Sequence, residues 1–135
     1  MENAETEGQR LMDEFMAKQA ARPVKATYHY ATLGSKTRMG GEIVTASTGI
    51  KIHEHRVACV GDWVRYPDGI ETEIVSGAGF AAAFKGRPIA IVGSATDNGD
   101  TVTCSLQRDV LIVEYADGEG IPGLLQPGYL IESQI

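Results

Sequence analysis

From Val24 to Tyr115 apolar residues come in short, β-branched runs separated by Gly, Pro, Asn and Asp. That texture predicts a meander of short strands rather than helices. Strands are expected near 24–33, 41–46, 49–53, 56–65, 70–76, 79–85, 88–95, 100–106 and 110–115. Turns are expected at Met39-Gly40-Gly41, His53-Glu54-His55, Pro67-Asp68-Gly69, Lys85-Gly86, Asn98-Gly99-Asp100 and Asp117-Gly118. Ahead of this region, residues 2–22 place Leu11, Met12, Phe15 and Met16 on one stripe among helix formers, with Lys18 and Arg22 late and Pro23 after them. This predicts one amphipathic helix whose stripe packs against the body or docks another protein.

Within the β region the chain repeats itself. YHYATLGSKT (28–37), HRVACVGDWV (55–64) and RPIAIVGSAT (87–96) align so that Ala31, Ala58 and Ala90 form one column and Gly34, Gly61 and Gly93 another. Ser35, Asp62 and Ser94 follow the glycines, and each copy then enters a glycine turn and a return strand: KTRMGGEIV, WVRYPDGIETEIV and ATDNGDTVT. The glycines lie 27 and 32 residues apart (34 to 61, 61 to 93). Units this small cannot each bury an apolar face, so three of them must share one core. The alanines let three strands approach a common axis, and the glycines permit a sharp reversal. The expected fold is therefore mainly β: a compact, pseudo-threefold β-hairpin repeat domain with an N-terminal helix. Its parts are a helical extension (1–23), the repeat domain (24–106) and a C-terminal strand with an apolar tail (107–135), which either folds back on the body or docks a partner.

These residues, with A-T-L-G-S-K-T-R-M-G-G-E-I-V (31–44), R-V-A-C-V-G-D-W-V-R-Y-P-D-G (56–69), I-V-S-G-A-G (74–79) and G-R-P-I-A-I-V-G-S-A-T-D-N-G-D (86–100), resemble a PAAR-repeat protein. The likeness covers about 26–106. That family caps the spike of type VI secretion systems and related contractile phage tails. The resemblance implies a conical spike tip that plugs one trimeric spike protein, one chain per trimer, and leads it through a target membrane. An effector or adaptor would attach through residues 1–22 or the tail 107–135. It also implies a protein made in the cytoplasm and exported with the injection apparatus without a signal peptide. The alternative is a small soluble β domain acting as a ligand-binding or effector-adaptor module.

The chemistry departs from the family at one place. PAAR tips usually hold a zinc ion with three His and one Cys, but the corresponding positions here carry Met39, Tyr66, Asp68 and Asn98, which are no ordinary zinc set. The expectation is a candidate tip without metal or other cofactor, with Tyr66 and Asn98 hydrogen-bonded across a small apex and Met39 filling space. His29, His53 and His55 are the fallback ligands: His29 as a half-buried strand residue, the other two in a solvated loop aligned with Lys85-Gly86-Arg87. Cys59 and Cys104 match no paired spacing and are expected to be free, buried thiols.

Composition narrows the functions further. The 135 residues are long enough for one domain, and 43% hydrophobic with 22% charged is a folding composition. A formal charge of −6 disfavours nucleic acid, which calls for a basic face. Apolar runs such as Ala81–Phe84 and Ile89–Val92 fall far short of the roughly 20 residues that span a bilayer, so stable membrane insertion is not expected. No nucleophile–base pair or phosphate loop is present, G-A-G-F (77–80) lacks the dinucleotide pattern, and D-N-G-D (97–100) lacks a calcium-loop pattern, so no enzyme is expected.

Overall fold

The computed structural model describes residues 4–20 and 22–131. The expected helical residues 2, 3 and 21, and the last four residues of the tail, lie outside the described residues. In chain order the elements are α1 (Ala4–Ala20), β1 (Val24–His29), β2 (Glu42–Ile43), β3 (Lys51–Ile52), β4 (His55–Arg56), β5 (Trp63–Arg65), β6 (Glu71–Glu73), a 3-10 turn (Gly79–Ala81), β7 (Ala83–Phe84), β8 (Arg87–Pro88) and β9 (Leu111–Tyr115).

Three antiparallel pairs feed the repeats. β3 pairs with β4 and β7 with β8 as local hairpins, while β1 pairs with the distant β9. β1 runs on to Ala31 as β4 runs on to Ala58 and β8 to Ala90, so the two ends of the repeat region supply the third pair. The hairpin turns correspond as the sequence alignment requires: His53 and Lys85 occupy the same left-handed conformation, with φ of 57° and 50°.

The three copies meet at the alanine column. Ala31 N–H donates to Ala90 C=O (2.8 Å), Ala90 N–H to Ala58 C=O (2.9 Å) and Ala58 N–H to Ala31 C=O (3.1 Å), closing a cycle of three backbone hydrogen bonds. All three alanines are fully buried. Immediately beyond the cycle the chain reverses at Gly34, Gly61 and Gly93, where φ is 91°, 98° and 105°, a region side chains rarely tolerate. The following residue secures each reversal: Ser35 Oγ accepts from Thr32 N–H (3.0 Å), Asp62 Oδ2 from Cys59 N–H (2.9 Å) and Ser94 Oγ from Ile91 N–H (2.9 Å).

Past the reversal each copy sends out a strand and brings one back, and each return strand bonds to the next copy. Val44 N–H donates to Trp63 C=O, Val75 N–H to Ala95 C=O and Thr103 N–H to Lys36 C=O, all at 2.9 Å. This closed circuit pairs strand edges that would otherwise be open. It encloses Ile43, Ile74 and Val102 of the return segments, with Val64 and the three alanines, as one core cluster. A second cluster of Val57, Cys59, Ala78, Ile89 and Ile91 lies with the feeder pairs, joined by Tyr28, Tyr30, Leu124 and Leu125.

Several expectations need correcting. The strands expected at 24–33, 56–65 and 88–95 are not continuous: backbone bridges at Tyr30, Thr32, Val57, Cys59, Ile89 and Ile91 replace them, because each copy must bond to two neighbours in turn. The segment 79–85 begins as a 3-10 turn. Helix α1 forms, but Leu11, Met12, Phe15 and Met16 are exposed rather than packed on the body, each 55–59% accessible. The tail folds back: Phe80 N–H donates to Pro122 C=O (2.9 Å), Leu125 N–H to Gly77 C=O (2.8 Å) and Ile131 N–H to Gly86 C=O (2.7 Å).

Enlarging one alanine of the cycle forces three backbones apart, since each is fully buried where the three bond to one another. Ala58→Leu should lower unfolding stability by about 1–3 kcal/mol, read as a lower urea midpoint at unchanged slope.

Candidate functional site

The return loops gather three turns on the side of the alanine cycle away from the feeder pairs. The first and third are alike. Thr37 N–H donates to Gly41 C=O (3.0 Å) and Thr96 N–H to Asp100 C=O (3.0 Å), while Thr37 Oγ1 accepts Gly41 N–H (2.8 Å) and Thr96 Oγ1 accepts Asp100 N–H (3.0 Å). The second turn, Tyr66-Pro67-Asp68-Gly69, is closed by Tyr66 N–H to Ile70 C=O (2.9 Å) and Gly69 N–H to Tyr66 C=O (2.8 Å).

Gly41 and Asp100 hold the same place after their turns but do opposite things. A Cβ on Gly41 would lie 2.5 Å from Val64 Cγ1 and 3.0 Å from Tyr66 Cε1, so the absence of a side chain is what admits the Tyr66 ring. Asp100 instead projects a fully buried carboxylate into the apex. Its Oδ2 accepts the Tyr66 hydroxyl at 2.6 Å, and its Oδ1 accepts Met39 N–H at 3.0 Å and Thr101 N–H at 2.7 Å. Asn98 Nδ2 donates to the Tyr66 hydroxyl (3.1 Å), and Asn98 Oδ1 accepts the Thr96 hydroxyl (2.5 Å). Backbone bonds tie the same turns together: Arg38 N–H to Thr101 C=O and Asp97 N–H to Glu73 C=O, both 2.9 Å.

This environment sets the protonation states. Burial alone raises the Asp100 pKa, but donors from Thr37, Tyr66, Thr101 and Met39 outweigh it and hold the carboxyl below the ordinary 3.8. Burial, reinforced by the bond to Asp100, pushes the Tyr66 hydroxyl above the ordinary 10.0. Between these limits the pair is a carboxylate accepting from a neutral phenol.

The residues expected at the tip divide. Tyr66 and Asn98 are in direct contact. Met39 does not fill the apex, because its side chain is 56% exposed, and only its backbone N–H takes part. Asp68 is exposed and accepts Ile70 N–H within its own turn (3.0 Å). His29 is half-buried in β1, His53 sits exposed in the β3–β4 turn paired with Asp109, and His55 is half-buried in β4, so none of the three belongs to these turns. Both cysteines are free, but Cys104 is only half-buried, contrary to expectation, and its Sγ accepts Lys36 N–H (3.4 Å). Cys59 is buried, and burial pushes its thiol pKa up.

Sequence reasoning missed Asp100, taking D-N-G-D only as turn chemistry. The available signal was a break in the repeat: a charged side chain stands where the first copy has Gly41. A zinc ion does not fit this donor set. The apex offers an amide, a neutral phenol and one carboxylate, each already spent on a hydrogen bond, where zinc takes thiolate, imidazole or several carboxylates. Among the described residues no group of three or more His, Cys, Asp or Glu is placed to hold a metal.

The depressed Asp100 pKa means that the unfolded chain binds its proton first, so this residue's contribution to stability is complete above the ordinary 3.8 and lost as pH falls through the folded value. The raised Tyr66 pKa gives the opposite limb: stability is complete below the ordinary 10.0 and lost as pH rises through the folded value. Urea midpoints measured across pH should fall at both ends, with Asp100→Asn flattening the acid limb and Tyr66→Phe the alkaline one.

Neither the curated proteins nor the solved structures include a significant match to the chain. A family model does match it: the PAAR motif, over residues 33–104, which takes in all three glycine reversals and the three turns. Since that span is more than half of the 135 residues and is the part closed into the threefold circuit, the chain belongs to the PAAR-motif family.

Proposed function

We propose that the chain is the tip of a trimeric spike in a type VI secretion system or a related contractile injection machine, capping one trimer with one chain. Membership of the PAAR-motif family links it to a spike-tip role. The observation that carries the finer reading is the cycle Ala31, Ala58, Ala90 with its three matched feeder pairs. A trimeric spike ends in three identical strand sets with open backbone groups. One chain that presents three near-equivalent faces about one axis satisfies all three at once, whereas a chain without that symmetry satisfies one. The role is mechanical and non-enzymatic, and the protein is made in the cytoplasm and leaves with the spike.

The exposed stripe Leu11, Met12, Phe15 and Met16 favours α1 over the tail as the place where an effector or adaptor attaches. Backbone groups of the tail at Pro122, Leu125, Gly128 and Ile131 are already engaged with Phe80, Gly77, Val75 and Gly86, the stretch that leads into the third copy. Arg22 fixes the helix exit, donating to Asp117 Oδ1 (3.0 Å) and lying 3.8 Å over the Tyr115 ring.

Co-expression with the trimeric spike protein of the same genome should yield a complex of one chain per three spike chains by native mass spectrometry. A chain that stays free at micromolar concentrations of spike trimer overturns the capping role and leaves the small ligand-binding or adaptor module. Deleting residues 1–22 should leave that complex intact while removing any cargo that copurifies with it.

A further inference from the structure

The apex carries an inference that stands apart from the spike-tip reading. We propose that a single buried carboxylate, Asp100, closes the point of the cone by accepting hydrogen bonds from all three repeats, doing in this chain what a bound metal ion does in a metal-holding tip.

Donors come from all three copies: Met39 N–H from the first turn, the Tyr66 hydroxyl from the second and Thr101 N–H from the third. A tetrahedral metal site works in the same way, since it gathers ligands from separate segments at one centre of charge and converts binding energy into folding energy. Here the sign is inverted: the centre is an anion and the segments supply donors. Such charge-assisted bonds are stronger than neutral ones, and Asp100 is fully buried, so its charge is compensated by these donors. The surrounding residues are consistent with one centre. Gly41 leaves room for the Tyr66 ring. Asn98 donates to the Tyr66 hydroxyl while holding Thr96 through its other atom. No buried side-chain nitrogen or oxygen among the described residues lacks a partner.

The full chain, expressed and purified without a histidine tag and without a chelator, tests this in two ways. Elemental analysis should find no stoichiometric transition metal, and the thermal midpoint should be the same with chelator and with added zinc. About one zinc per chain, with a midpoint that falls on chelation, overturns the proposal. Asp100→Asn keeps the shape but removes the charge, and Tyr66→Phe removes one donor only. Each should lower the midpoint by at least about 5 °C. The double variant should fall by less than the sum, because the two act through one bond. Asp97→Asn, in the same turn but exposed, should change nothing. Additive losses, or an unchanged midpoint in Tyr66→Phe, also overturn it. Should Asp100→Asn fail to fold, the Tyr66→Phe and metal measurements still decide the matter.

Discussion

The cycle of three hydrogen bonds among Ala31, Ala58 and Ala90 is the constraint from which the remaining geometry follows. Three backbones can donate and accept in rotation only if they run within hydrogen-bond reach of one axis, and the alanine each contributes there is fully buried. Meeting so closely, they cannot continue in the same direction without colliding, so each reverses at the next opportunity, at Gly34, Gly61 and Gly93. The polar residue after each glycine then satisfies an N–H that the reversal strips of a strand partner. Strands of two or three residues, unstable alone, persist because every return segment bonds to the next copy and the circuit closes.

That symmetric frame carries asymmetric contents. The positions after the first and third turns are equivalent in backbone bonding, yet one is empty of side chain and the other holds a buried carboxylate. The longer second turn sends the Tyr66 ring into the space the first leaves open, and its hydroxyl ends on the carboxylate of the third. Symmetry brings the three turns together, and the differences between the copies let them interlock. A buried charge is costly without compensation, and at this apex the compensation is shared among all three repeats.

The two extensions are treated differently by the same physics. The tail brings apolar Leu124 and Leu125 to the second core cluster and bonds its backbone to the stretch between the second and third copies. It is part of the body. Among the described residues the apolar stripe of α1 meets no equivalent surface, and its helix is joined to the body where Arg22 engages Asp117 and Tyr115. Contact with a partner of matching apolar face is the chemistry such a stripe is suited to.

Much of this was legible in the chain because it is local or repeated. The helix ends before Pro23, the glycine turns fall where Gly, Asn and Asp cluster, and the alanine and glycine columns announce a shared core by recurring. The histidine pair at 53 and 55 matched Lys85-Gly86-Arg87 for the same reason, since the two hairpins share a backbone conformation. What the pattern misjudged was strand continuity: apolar alternation is the same whether a segment has one partner or changes partner midway, and here it changes. Only the tertiary structure decided the pairing of β1 with β9, the exposure of the α1 stripe and the centring of the apex on Asp100. Each depends on groups far apart in sequence, such as Tyr66 and Asp100, and a single chain of letters records neither their distance nor the desolvation that makes their hydrogen bond matter.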